Sequence, residues 1–218
     1  MPLDAVFGRL LGSPLAVEEL DPRSHAGSLL PEEASIVADA VPRRVSEFTA
    51  GRACARQALS KLQGPTEYPL LQGEDRGPIW PSGFVGSITH ANFWCAAAVA
   101  RTSDVRAVGI DIESVAPVRP SVLERVCTTD ERRRIEASRH PDQMAKVFFS
   151  AKESVYKCQR PITGAYLGFH AVELEVADGR FRAVFRRPAG EFAPGDALCG
   201  RYLADSDWVA TACVLEAE

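Results

Sequence analysis

The chain has 218 residues, a formal net charge of −4 and a pI near 5.7, with 46% hydrophobic and 25% charged residues. That length supports a substantial core, as one large domain or two small halves, and the composition is that of an ordinary soluble globular protein. The acidic balance leaves no broad footprint for nucleic acid, and the longest wholly apolar run, FWCAAAVA, is far too short to cross a bilayer, so neither nucleic acid nor membrane is an expected partner.

The opening stretch MPLDAVFGRLLGSPLAVEELD is interrupted by Asp4 and Arg9 before a signal-peptide core could form, and a cytoplasmic location is expected. A helical part is predicted from Pro31 to Lys61, followed by strand-like runs at Phe84–Ile88, Phe93–Ala100 and Ala107–Ile112. After Glu113 the order recurs. Helical patterns near Pro120–Val126, Asp130–Ser138 and Asp142–Gln159 precede strands at Ala171–Val176, Arg180–Arg186, Leu198–Leu203 and Trp208–Leu215. The last strands of the two sets look alike, NFWCAAAVA against DSDWVATACVL. Helices followed by antiparallel runs predict an α+β fold of two similar halves with antiparallel sheets, residues 1–108 and 109–218, packed as one unit with a ligand cleft between them. The six cysteines (Cys54, Cys95, Cys127, Cys158, Cys199, Cys213) lack metal or redox spacing and read as core residues of a reducing compartment.

Four short stretches depart from a plain core pattern. In the helix RRVSEFTAGRACARQALSKL, Val45, Phe48, Ala55, Leu59 and Leu62 form one arc roughly 100° wide at about 100° per residue. Arg52 falls inside that arc, with Arg44 at one edge and Arg56 just beyond the other. An arginine there must snorkel out, pair internally with one of the 29 acidic residues while Arg56 stays solvated, or meet an anion such as phosphate, which the guanidinium fork suits. In VGIDIESV the strand period of two puts Asp111 and Glu113 on one face, where they are either two solvated carboxylates or ligands of a hard cation such as Mg2+. In FFSAKESVYKC, Glu153 and Lys157 share a helix face as i and i+4, a surface pair or a third carboxylate beside a lysine. Between them GSITHANF, a strand end passing into a turn, offers Ser87, Thr89 and His90, without the Gly-x-Ser-x-Gly elbow of a serine hydrolase. His25, His140 and His170 read as ordinary loop or strand residues.

Taken in order, RRVSEFTAGRACARQAL, RGPIWP, GSITH, VGIDIE and FFSAKESVYK resemble the 4′-phosphopantetheinyl transferases of the larger, pseudodimeric type. These pieces span Arg43 to Lys157, and the C-terminal strands match only in general pattern. The resemblance implies transfer of 4′-phosphopantetheine from coenzyme A to a serine of apo acyl and peptidyl carrier proteins of polyketide or non-ribosomal peptide synthases, with 3′,5′-adenosine bisphosphate released. It implies that Asp111, Glu113 and Glu153 bind Mg2+ and that Arg44 and Arg52 hold the 3′-phosphate of coenzyme A. Arg76, Ser87, Thr89 and His90 would contact the cofactor's phosphates, Asp111 would contact the cofactor through the metal, and Lys152 and Lys157 would hold the diphosphate. Glu153, Lys157 and His90 are then the candidate catalytic residues, with residues 1–108 serving the adenosine end and residues 109–218 the metal. Phe149 stands where many relatives carry Trp, so the chain looks closer to the enterobactin-type branch. A monomer is expected, because both halves come from one chain. A Mg2+-dependent phosphodiesterase or nuclease, and a non-catalytic coenzyme A-binding or carrier-binding protein, are the rival classes. The strand GRFRAVFRR puts Arg180, Arg182 and Arg186 on one face, either solvated or facing an acidic carrier.

Overall fold

The computed structural model describes residues 6–24, 27–65, 67–74 and 76–217. His25 and Asp4 lie outside the described residues. The fold is α+β, and the chain divides into two compact units, Met1–Val108 with Glu216–Glu218, and Gly109–Leu215.

In the first unit a short helix α1 (Val6–Leu10) leads to strand β1 (Ala16–Leu20), helix α2 (Pro31–Ala34), the long helix α3 (Pro42–Gln63), and strands β2 (Phe84–Ala91) and β3 (Trp94–Arg101). The expected single helical part is broken before Pro42. A residue preceding proline is pushed out of the α region, and Val41 is extended at φ −61° and ψ 151°. Pro42 then starts α3 at its first helical position, and Gly64, at φ 86°, ends it. The sheet order is β1-β3-β2, all antiparallel. Helix α3 covers one face of it through small side chains, Ala50, Cys54, Ala55 and Ala58 against Cys95, Ala97 and Val99. Neither α1 nor β1 is anticipated from the sequence. Both are five residues long, and adjacent Glu18 and Glu19 conceal the alternation of β1. Glu19 accepts from Phe7 N at 2.7 Å and from Trp94 Nε1 at 3.3 Å, tying α1 and β3 to this strand.

Strand β4 (Val105–Ser114) is followed by α4 (Pro120–Val126), α5 (Thr129–Glu136), α6 (Pro141–Thr163) and strands β5 (Val172–Ala177), β6 (Arg180–Phe185), β7 (Ala197–Ala204) and β8 (Trp208–Glu216). Here the sheet order is β4-β8-β7-β6-β5. Each sheet therefore pairs the strand before its helices with the last strand after them, β1 with β3 and β4 with β8. The look-alike segments of the sequence are those two last strands. The second sheet differs by carrying two more strands. Among the described residues no helix is long and apolar enough to cross a membrane.

Candidate functional site

Strand β4 and helix α6 touch backbone to backbone in the second unit. A Cβ on Gly109 would lie 1.9 Å from the Ser154 carbonyl oxygen and 2.6 Å from Cys158 N, so only glycine permits the approach. Two residues along, Asp111 is 6% exposed, and its Oδ1 accepts from Lys157 Nζ at 2.7 Å; the same ammonium donates to the Ile110 carbonyl at 3.0 Å. Glu113 accepts from Lys146 Nζ at 2.9 Å. Burial pushes the Glu113 carboxyl above its ordinary range; Lys146 opposes this and the Asp111 charge adds to it. Burial likewise raises Glu153, against the pull of Lys157, with Asp111 and Glu113 adding their repulsion. Three carboxylates thus share one partly desolvated field in which a cation relieves the strain.

The donor set, all hard oxygens, fits Mg2+, which takes few carboxylates and completes its shell with water and phosphate. Among the described residues no group of three or more His, Cys, Asp or Glu forms a ready-made cage. Lysines 146 and 157 each pair with one of the carboxylates. Beside Glu153 lies a cavity of about 130 Å3 lined by Tyr156, Tyr166, Leu167 and Phe169. Tyr156 and Tyr166 meet edge to face at 6.0 Å. A second cavity, about 150 Å3, is bordered by Glu113, Lys146, Val122, Leu123 and Phe149.

Lys152, expected from the resemblance to hold diphosphate, stands apart from these groups. Its Nζ donates to Glu131 Oε2 at 2.7 Å, the Val126 carbonyl at 2.8 Å and the Phe169 carbonyl at 3.0 Å, and the side chain is 1% exposed. All three of its N–H bonds are thereby used inside the protein. Glu131 is the capping-box residue of α5, accepting from Thr128 N at 2.7 Å and from Leu174 N at 2.7 Å. The first unit repeats the device. Buried Glu33 accepts from Arg56 at 2.7 Å, from Leu30 N at 3.1 Å and from Leu70 N at 3.0 Å. Arg56, which the sequence alternative to a phosphate site left solvated, is therefore the arginine of this helix that is paired inside the protein.

Arg52, on α3, has no such ion pair among the described residues. It is 5% exposed, its guanidinium lies 4.2 Å from the Phe48 ring centroid, and its Nε makes no hydrogen bond among the described residues. Burial lowers its pKa to about 10; Glu33 opposes this, while Arg56 and Arg44 add to it. A buried cation flanked by further cations is costly unless an anion offsets it, and a guanidinium suits phosphate. About two turns before Arg52, Arg44 Nη1 lies 3.2 Å from His90 Nε2, and Glu47 Oε2 lies 3.6 Å from the Nδ1 of the same ring. Ser87 and Thr89 are buried in β2. Strand alternation sets them on the face opposite Ile88 and His90, which face α3, so these polar residues do not form one cluster. Arg76, at φ 67°, sits at a turn closed by its N–H to the Gly73 carbonyl at 2.9 Å. The arginine face of β6 is largely paired, Arg182 with Glu175 at 3.3 Å and Arg186 with Glu173 at 2.5 Å.

Gly109, Glu131, Lys146 and Glu47 are additions that the sequence reading did not single out. A glycine inside a strand just ahead of two carboxylates, the Thr128-x-x-Glu131 capping pattern, and the i, i+4 pair Arg43 and Glu47 were the available signals. Lys146 carries no comparable local signal.

Two family models match the chain: the 4′-phosphopantetheinyl transferase N-terminal domain over residues 32–100, and the 4′-phosphopantetheinyl transferase superfamily over residues 107–213. The 4′-phosphopantetheinyl transferase Svp of Streptomyces mobaraensis is 43% identical over 197 residues, 87% of this chain and 79% of its own. PptT of Mycobacterium tuberculosis, also a 4′-phosphopantetheinyl transferase, is 36% identical over 85% of this chain and 86% of its own. Enterobactin synthase component D of Salmonella typhi is 37% identical over 53% of this chain and 48% of its own. With matches to both units and a relative this similar over most of both lengths, the chain belongs to the 4′-phosphopantetheinyl transferase superfamily.

Proposed function

We propose that this transferase moves the 4′-phosphopantetheine of coenzyme A to a serine hydroxyl of apo acyl and peptidyl carrier proteins, in a Mg2+-dependent reaction that releases 3′,5′-adenosine bisphosphate. The observation that carries the site assignment is the grouping of Asp111, Glu113 and Glu153 with Lys157 in one partly desolvated field. Bound there, Mg2+ would neutralise charge on the diphosphate.

The serine oxygen attacks the β-phosphorus, the bond from that phosphorus to the bridging oxygen breaks, and the bridging oxygen leaves with the adenosine bisphosphate. Glu153 takes the serine proton. Lys157 stabilises the leaving diphosphate charge, and such reactions depend mainly on alignment and charge stabilisation. The apolar cavity beside Glu153 suits the uncharged pantetheine arm. Arg52 and Arg44, with His90, take the 3′-phosphate, and Arg76 lies with them in the first unit. Ser87 and Thr89 act as buried supports in β2, and Lys152 as a strut. One chain supplies every residue named here and is read as the working unit.

Intact-mass analysis of an apo carrier protein incubated with this protein and coenzyme A, with Mg2+ and again with chelator, tests the proposal. A metal-dependent gain of one phosphopantetheine is the expected result. Cleavage of a simple phosphodiester without carrier would favour a phosphodiesterase, and coenzyme A binding without any product would favour a binding protein.

A further inference from the structure

We infer that Glu47 is a positioning residue that makes binding of a phosphate monoester at Arg44 draw one proton onto His90. The inference rests on reading Arg44, Arg52 and His90 as the phosphate-holding groups. Glu47 is 9% exposed on α3, one turn after Arg43, whose Nε donates to Glu47 Oε1 at 2.8 Å. The other carboxylate oxygen lies 3.6 Å from His90 Nδ1. On the opposite edge of the ring, Arg44 Nη1 lies 3.2 Å from Nε2.

A guanidinium nitrogen only donates, so Nε2 must accept in that contact, and the single proton of the neutral ring sits on Nδ1, facing Glu47. At 3.6 Å the contact to Glu47 is electrostatic rather than a hydrogen bond. It orients the ring and favours positive charge on it. The charged groups of α3 against the ring are Arg44 and Glu47, with Arg43 reaching Glu47 from its far side, and across the strand register His90 pairs with Cys95 of β3.

An incoming phosphate draws Arg44 to itself. Nε2 then faces an anion and has to donate, so the ring takes one proton from solvent. The resulting imidazolium is held between Glu47 at Nδ1 and the phosphate at Nε2, a carboxylate–imidazole arrangement that fixes orientation and raises basicity. Glutamine at position 47 would keep the shape and lose the charge.

Calorimetric titration of the full chain with coenzyme A at neutral pH, in two buffers of different ionisation enthalpy, reads this proton directly. Wild type is expected to take up a substantial fraction of a proton per coenzyme A bound, and Glu47→Gln and His90→Asn to lose most of that uptake. In steady-state assays Glu47→Gln should raise KM for coenzyme A about tenfold and leave kcat nearly unchanged, because the perturbed group holds a part of the substrate remote from the reacting phosphorus. A purely structural Glu47 would change stability without changing the proton count. Binding by wild type without proton uptake, or uptake that persists in Glu47→Gln, overturns the inference and leaves the phosphate site standing. Failure of wild type to bind coenzyme A overturns the phosphate-site reading as well.

Discussion

Alanine at Gly109 would place a Cβ 1.9 Å from the Ser154 carbonyl oxygen and 2.6 Å from Cys158 N, both backbone atoms of α6. Neither is the end of a flexible side chain, so the helix or the strand must retreat by about 1.5 Å to restore an ordinary contact near 3.4 Å. Overpacking of this kind costs about 1–3 kcal/mol. For a chain of 218 residues each kcal/mol is worth about 2–4 °C in Tm. The larger effect falls on the site. The 2.7 Å contact of Lys157 with Asp111 spans this same strand–helix seam, and a misplacement of about 1 Å can cost roughly 100-fold in rate. Thermal unfolding together with turnover on an apo carrier should therefore show Gly109→Ala lower by about 2–12 °C in Tm and by at least about tenfold in kcat. Gly12→Ala, whose added methyl meets nothing within 4 Å, is the control. A Gly109→Ala protein with wild-type Tm and kcat would refute the argument that close approach of β4 to α6 builds the site.

Glu153→Ala should lower kcat by about 100-fold or more with the circular dichroism spectrum unchanged, and near-normal turnover would remove Glu153 from the mechanism. Arg52→Met should raise the Kd for coenzyme A at least about tenfold while the urea midpoint stays level or rises, since a buried cation without a hydrogen-bond partner at Nε is removed; a lowered midpoint with unchanged affinity would make Arg52 structural. Lys152→Met should lower unfolding free energy by about 3–5 kcal/mol, because Glu131 is left buried without its cation, and a variant of wild-type stability would contradict the strut role. The carboxyls of Glu113 and Glu153 have folded pKa values above their unfolded ones, so the folded chain binds more protons in that window and metal-free stability falls as pH rises from the ordinary carboxylate range through the raised values. Urea midpoints across pH should show that decline, flattened in Glu153→Gln and by added Mg2+; identical profiles for wild type and variant would count against the shared field.

Local sequence was informative wherever a few neighbouring residues decide the outcome. Pro42, Pro120 and Pro141 open helices at their first helical positions, Gly64 and Gly164 close two of them, and the apolar runs of β5 to β8 appear close to where they were expected. The α+β fold followed from that order of elements. The short α1 and β1 were hidden, since five residues hold too little periodicity, and the pairing of β1 with β3 depends on partners about 80 residues away. Arg52 was conspicuous because an arginine inside an apolar arc is anomalous on its own helix.

What the sequence by itself determined was the succession of helices and strands and the kinds of charge each carries, because propensity and period act over one or two turns. Only the tertiary structure decided what each charge faces. Arg52 and Arg56 lie one turn apart on one helix, yet one meets Phe48 and the other Glu33. Lys152 and Lys157 lie on one helix as well, yet one is enclosed by Glu131 and two carbonyls while the other reaches Asp111. A charged group's role is set by the groups that segments distant in sequence bring to it, and a local pattern of residues does not encode them.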